Sequence, residues 1–142
     1  MLFSTSLTAQ DNQVFQLGED EKLYEQVYQE YSQNLLEVAN YDTQAAFDNW
    51  LSMLIEMEKY AEKLRFDLNG VKLYLHVFWN FDGTIDHIGY LLRPDSRNIS
   101  QAELGAFFKT FMKKYKFPLT SSKKFNHYTG ANFPVYSQKV DN

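Results

Sequence analysis

The chain has no cysteine, so thiol catalysis, thiolate metal sites and disulfides are all excluded. Proline is also scarce, with 3 residues among 142, and this excludes a long proline-rich segment. No apolar run approaches the roughly 20 residues that a membrane-spanning helix needs. Basic residues do not exceed acidic ones, since 14 Lys and Arg stand against 18 Asp and Glu. That balance argues against a nucleic-acid partner.

Aromatic residues are unusually abundant, because 12 Phe, 10 Tyr and 2 Trp make up 17% of the sequence. Apolar residues at 44% and charged residues at 23% are ordinary for a globular protein. The length suits one domain, and a chain of this size buries about 68–70% of its unfolded surface without a disulfide or a metal. Composition therefore predicts a globular domain and names no function.

The charges are distributed unevenly along the chain. Residues 1–70 contain 4 basic and 13 acidic side chains, whereas residues 99–142 contain 7 basic and 2 acidic ones. One interpretation is that the two halves neutralise each other across one fold. The other is a basic patch at Lys113, Lys114 and Lys116 that attracts an anionic partner.

Residues 1–10 resemble the end of a secretory signal peptide, with a short apolar stretch, small residues and then Ala9-Gln10. The basic start and the full apolar region of such a signal are missing. We expect residues 1–18 to be a leader remnant or a disordered N-terminus, and the protein to be periplasmic or otherwise exported. A cytoplasmic protein with a ragged N-terminus is the alternative.

Residues 19–69 have the periodicity of helices. The first predicted helix covers residues 19–39, with apolar positions at Leu23, Tyr24, Val27, Tyr28, Tyr31, Leu35 and Val38. After Asn40-Tyr41-Asp42, a second predicted helix extends to Arg65, with a buried stripe of Phe47, Trp50, Leu51, Leu54, Met57, Ala61 and Leu64. A short link between two helices favours an antiparallel pair, so this region is predicted to be a helical hairpin.

The period then changes to two, which predicts strands. Residues 71–79 alternate, residues 80–83 have the composition of a turn with a bulge, and residues 84–92 return as a second strand. A two-residue loop at Asp82-Gly83 would place His76 and His87 on the same face of the hairpin, whereas the bulged turn, which Asn80 favours, is expected to place them on opposite faces. A metal site built from this pair is therefore not expected.

A third helix is predicted after Ser100, because Ser100 and Glu103 have the spacing of a capping box. It should end at Phe117-Pro118. The tail predicts a strand at residues 125–128, a turn at Thr129-Gly130 and a last strand at residues 133–136. Because Pro134 cannot donate to a ladder, the last strand is expected to lie at a sheet edge or to carry a bulge. At an edge, the proline either marks an edge in use or protects it from aggregation.

Together these elements predict one α+β domain over residues 19–142. A helical hairpin at residues 19–69 is followed, over residues 70–142, by a β-hairpin, a helix and C-terminal strands. The strands are expected to form a small antiparallel sheet with the helices packed on one face.

From Gly70 onward the chain resembles the C-terminal, periplasmic domain of the TonB energy-transducer family. The similar features lie within residues 70–136: the alternating strand 71–79, Asp82-Gly83, the returning strand with Tyr90, the basic-aromatic exit Met112-Lys-Lys-Tyr-Lys-Phe-Pro118, and Phe133-Pro134-Val135. The resemblance implies the fold and a binding mode in which a peptide pairs with a sheet edge. It does not imply the energised function, since this sequence contains neither the membrane helix nor the proline-rich spacer of that family.

We therefore predict an exported, non-catalytic binding protein that pairs through a sheet edge with a peptide or a protein, including a component of a membrane-associated complex, or with a second copy of itself. The predicted partner-binding residues are Phe125, Tyr128, Phe133, Val135, Tyr136, Lys113, Lys114 and Lys116. The alternative is a small-ligand module with an aromatic-lined cavity. Catalytic residues, metal sites and cofactors are not predicted, because the three histidines lie in no known catalytic motif.

Overall fold

The computed structural model of the protein describes residues 13–135. Its elements are β1 (Val14–Gln16), α1 (Glu21–Glu30), β2 (Gln33–Asn34), α2 (Leu35–Val38), α3 (Thr43–Leu64), β3 (Lys72–Trp79), β4 (Ile85–Leu92), α4 (Gln101–Lys114) and β5 (Phe125–Asn132). The class is α+β, as predicted. The proposed leader at residues 1–10 and the predicted contact residue Tyr136 lie outside the described residues.

The sheet has five strands in the order β1-β4-β3-β5-β2. β3 pairs antiparallel with β4 and with β5, whereas β1 is parallel to β4 and β2 is parallel to β5. The sheet is therefore mixed and not purely antiparallel as predicted. β1 also lies in the stretch assigned to a leader or a disordered N-terminus, so the domain includes residues before Glu19.

The predicted first helix is not continuous. α1 ends at Glu30, and the chain forms the short strand β2 before α2 begins at Leu35. The interruption arises because Asn126 donates from Nδ2 to the carbonyl oxygens of Tyr31 and Gln33. These carbonyl oxygens therefore accept hydrogen bonds from a side chain of β5 and not from the N–H groups of a following helical turn.

The helices cover both faces of the sheet. The prediction that they all pack on one face is therefore wrong. α3 and α4 pack on the face that carries Leu73, Leu75 and Val77, where the main core forms. α1 packs on the opposite face, where Val27, Tyr31 and Phe78 form a second, smaller cluster. The period-two alternation of β3 explains this division, because both sets of its side chains are buried.

Two predicted helices are confirmed, and each begins at a capping side chain. Asp42 accepts from the Ala45 N–H at 3.1 Å at the start of α3. Ser100 accepts from the Glu103 N–H at 3.2 Å at the start of α4. Within residues 13–135, no helix has both the length and the apolar composition that a membrane crossing requires.

The hairpin between β3 and β4 contains a bulge between Phe78 and Trp79, beside a turn in which Gly83 adopts a positive φ of 92°. The bulge shifts the register so that Phe78 lies opposite His87, whereas His76 lies opposite Gly89. Paired residues share a face, so His76 and His87 point to the same face of the sheet. The expectation that they point to opposite faces was wrong.

Up to residue 135, where the described part of the tail ends, the tail forms one strand and not two. β5 continues through Thr129-Gly130, where a turn was predicted, and ends at Asn132 before Phe133-Pro134. It continues because both residues pair with β3, Thr129 opposite Leu75 and Gly130 opposite Tyr74. The proline therefore lies just beyond the strand.

Candidate functional site

The outer side of β5 is open along most of its length. On this side β2 pairs with β5 only at Phe125 and Asn126. Within residues 13–135, no other strand pairs with the outer side of β5. The unpaired stretch, residues 127–132, is about 20 Å long at 3.4 Å per residue. A sheet edge of this length can accept an added strand.

The register identifies which backbone groups point outward. The Phe133 N–H donates to the Val71 carbonyl at 2.9 Å, whereas the Arg93 N–H donates to the Lys72 carbonyl at 2.9 Å. The backbone N–H and C=O groups of odd-numbered β3 residues therefore point toward β5. They pair with the corresponding groups of odd-numbered β5 residues. The N–H and C=O groups of Tyr128, Gly130 and Asn132 consequently point away from the sheet, and we call these six groups the open edge.

An apolar groove of about 380 Å³ lies along the open edge, between β5 and the first half of α3. α3 supplies Ala46, Phe47, Trp50, Leu51 and Leu54 to its wall, and β5 supplies His127, Thr129 and Ala131. The groove exists because the β5 side chains on this face are small at Thr129 and Ala131, so they do not reach the larger side chains of the helix. We call this feature the α3 groove.

Trp50 forms the inner end of the α3 groove. Its ring meets the His127 ring edge-on at a centroid distance of 4.9 Å, and the Trp79 ring at 6.3 Å. Burial lowers the pKa of His127, so this imidazole is neutral at pH 7. Among the described residues that line the groove there is no Asp, Glu, Lys or Arg, and the groove is therefore uncharged.

Phe47 is the most informative residue of this wall, because its side chain is 53% exposed. The sequence pattern assigned it to the buried stripe of the second helix. The structure places it at the mouth of the groove, one turn before Trp50. Periodicity could not separate the two positions, since both lie on the apolar side of the same helix.

The opposite face of the sheet holds a buried polar network around His76, which is 1% exposed. The Tyr24 hydroxyl lies 2.7 Å from Nδ1 of this imidazole, and Asn126 Oδ1 lies 2.8 Å from Nε2. Tyr31 extends the network by donating to Asp86 at 2.8 Å. These bonds attach α1 to the sheet.

The network has the residue types of an acid–base site but not its geometry. Both ring nitrogens of His76 are already bonded within the protein, and burial lowers the pKa of His76 to about 4. The imidazole is therefore neutral at pH 7 and presents no nitrogen to a substrate. Its contacts position α1.

The predicted partner-binding residues of the tail divide by their burial. Phe125, Phe133 and Val135 are buried in the main core, and of these three only Val135 lines the α3 groove. The Val135 N–H is also bound, to Glu58 Oε2 at 2.8 Å. Tyr128 is the exposed member of this described set, with 50% of its surface exposed. Its ring stacks against Tyr74 beside the open edge.

The predicted basic residues lie elsewhere. Lys113, Lys114 and Lys116 are exposed at the end of α4 and just beyond it. The Lys114 ammonium lies 5.5 Å from the centre of the Tyr60 ring, in the second half of α3. None of these three residues lines the α3 groove, so the structure does not join the basic residues to the open edge.

Sequence reasoning missed Gly130 and the α3 contribution to the site. The sequence predicts a turn at Thr129-Gly130. In the structure Gly130 leaves a gap in the side chains along the outer strand. Within residues 13–135, no three His, Cys, Asp or Glu side chains are grouped so that they could hold a metal ion.

Comparison with known proteins found no matching family model, no matching curated protein and no matching solved structure. The open edge and the α3 groove are therefore the features of the described residues that point to a function.

Proposed function

We propose that the protein is a non-catalytic binding protein that accepts an extended segment of a partner protein or peptide as an added strand beside β5. The observation that carries this proposal is the coincidence of the open edge with the α3 groove. Backbone groups at Tyr128, Gly130 and Asn132 would supply hydrogen bonds, and the groove would receive side chains. In this mode the ladder gives affinity and the groove gives selectivity.

The composition of the open edge supports its use. Proteins usually protect an exposed edge with lysine, proline, a bulge or a covering loop. The three outward residues are instead Tyr128, Gly130 and Asn132, and Pro134, which lies beyond the strand, removes none of their N–H groups. This position of Pro134 favours an edge in use over protection by the proline. The proposal does not depend on the resemblance to the TonB family, which stays a prediction.

The test compares Gly130→Pro with Gly130→Ala. Proline removes one outward N–H and is tolerated at an edge, whereas alanine keeps that N–H, and its Cβ would meet only the Leu73 carbonyl oxygen at 3.8 Å. Random heptapeptides displayed on phage would be selected on the immobilised protein. We expect selected peptides to bind the wild type and Gly130→Ala but not a folded Gly130→Pro. Equal binding to all three proteins, or no selected peptide, would contradict strand addition at this edge.

A small apolar ligand in the α3 groove is the second candidate, because about 380 Å³ lies within the usual range of ligand pockets. The two functions differ in what they require. A small ligand would need Phe47 but not the Gly130 N–H. Its binding would therefore be weakened by Phe47→Ser and unchanged by Gly130→Pro.

Export remains part of the proposal and rests on residues 1–10 alone. N-terminal sequencing of the native protein would support it by finding a new terminus near Gln10. A cytosolic protein that keeps Met1 would contradict it.

A further inference from the structure

Strand addition beside β5 would place the partner's side chains in two different environments. Along β5, His127, Thr129 and Ala131 point toward α3, whereas Tyr128, Gly130 and Asn132 point to the other face. A strand paired with β5 repeats this alternation. Every second side chain of the partner would therefore enter the α3 groove, and those between would lie over the opposite face.

The groove side favours apolar side chains without charge. Its wall consists of Phe47, Trp50, Leu51 and Leu54, and no Lys, Arg, Asp or Glu among the described residues faces it. A charged side chain placed there would lose water without gaining a partner of opposite charge. An apolar side chain would instead cover the half-exposed ring of Phe47.

The opposite side imposes no such demand. Gly130 has no side chain, Asn132 is exposed, and Tyr128 keeps half of its surface in contact with water. Partner side chains on this face would stay at least partly hydrated, so polar residues are accepted there. The tyrosine ring can still contact them along one side.

We infer that the partner is an extended segment with a two-residue period, in which uncharged apolar side chains face α3 and polar side chains occupy the positions between. This inference rests on the proposed function and adds the chemical class of the partner. A segment of this kind resembles an amphipathic strand of another protein.

The test uses two synthetic peptides and the ¹⁵N-labelled protein. The first peptide is acetyl-Thr-Val-Ser-Leu-Thr-Val-Ser-amide, and the second has glutamate at its three apolar positions. Binding is followed through the amide resonances of Tyr128, Gly130 and Asn132. We expect both peptides to shift the resonances of these three amides. The apolar peptide should bind at least tenfold more tightly than the glutamate peptide.

Phe47→Ser and Phe81→Ser form a matched pair of variants. The two phenylalanines are 53% and 51% exposed, but only Phe47 lines the groove. Phe47→Ser should weaken binding of the apolar peptide at least fivefold, whereas Phe81→Ser should leave it unchanged. Equal effects of the two variants would overturn the assignment of the groove.

The outcomes separate the inference from the function on which it rests. If both peptides shift the three amides with equal affinity, strand addition stands and the apolar requirement is wrong. If neither peptide shifts them, strand addition itself is wrong. If the three amides shift with protein concentration in the absence of peptide, a second copy of the chain occupies the edge, and the inferred partner is wrong.

Discussion

The sharpest physical prediction is that His76 makes the fold sensitive to mild acid. Its imidazole is 1% exposed, and burial lowers its pKa to about 4, with the nearby His127 acting in the same direction and the bond to Asn126 opposing it. In the unfolded chain its pKa returns to about 6.5. The perturbation is a change from pH 7.5 to pH 5, applied to the wild type and to His76→Gln.

The sign and size of the effect follow from proton binding in the two states. Well above pH 6.5, as at pH 7.5, His76 is neutral in both states, and it contributes no pH dependence. As the pH falls below 6.5, His76 binds a proton in the unfolded chain but not in the folded protein. The free energy of unfolding therefore decreases. With folded and unfolded pKa values of about 4 and 6.5, the loss between pH 7.5 and pH 5 is about 2 kcal/mol.

Urea unfolding followed by tryptophan fluorescence measures this loss directly, because Trp50 and Trp79 are both buried. Glutamine at position 76 can still donate to Asn126 but cannot take up a proton. We therefore expect the variant to be less stable at pH 7.5 and to lose about 2 kcal/mol less than the wild type on acidification.

The difference between the two proteins isolates His76 from other titrating groups. Burial also lowers the pKa of His127, so this residue adds its own acid sensitivity to both proteins. Parallel loss of stability in the wild type and in His76→Gln would refute the reasoning. It would mean that the His76 imidazole takes up a proton in the folded state.

The other predictions concern local features and use the same unfolding measurement. Ser100→Ala should cost about 0.5–2 kcal/mol because the Glu103 N–H loses its acceptor, and an unchanged midpoint would place the start of α4 elsewhere. Gly83→Ala should cost at least about 2 kcal/mol, because φ is 92° and the added Cβ would collide with the Phe117 carbonyl oxygen; a loss below about 0.5 kcal/mol would contradict the turn geometry. Trp79→Phe should change stability by less than about 1.5 kcal/mol, since the buried indole Nε1 has no hydrogen-bond partner among residues 13–135; a larger loss would contradict this prediction.

The open edge was predicted only in part from the sequence. An edge strand was expected at residues 133–136 on account of Pro134, whereas among residues 13–135 the strand with an open outer side is β5. The residues that present it are different, because the strand extends from Phe125 to Asn132 and stops before the proline. A proline indicates where a ladder must end, but it does not tell which strand lies beside the residues before it.

Local signals in the sequence determined several elements of the fold. The Ser100 cap, the Asp42 cap and the alternation of β3 each depend on contacts within a few residues. Such contacts form wherever the chain carries the right residue types at the right spacing. α3, α4 and the β3–β4 hairpin could therefore be located without any knowledge of the fold.

Only the tertiary structure decided how these elements meet. Asn126 interrupts the predicted helix by donating to the Tyr31 carbonyl oxygen, although the two residues are 95 positions apart in sequence. His87 shares a face with His76 because of a bulge beside Trp79. The α3 groove likewise needs Phe47 and Ala131 to lie on facing elements. These relations depend on contacts between distant residues, and periodicity carries no information about the partner that a residue will meet.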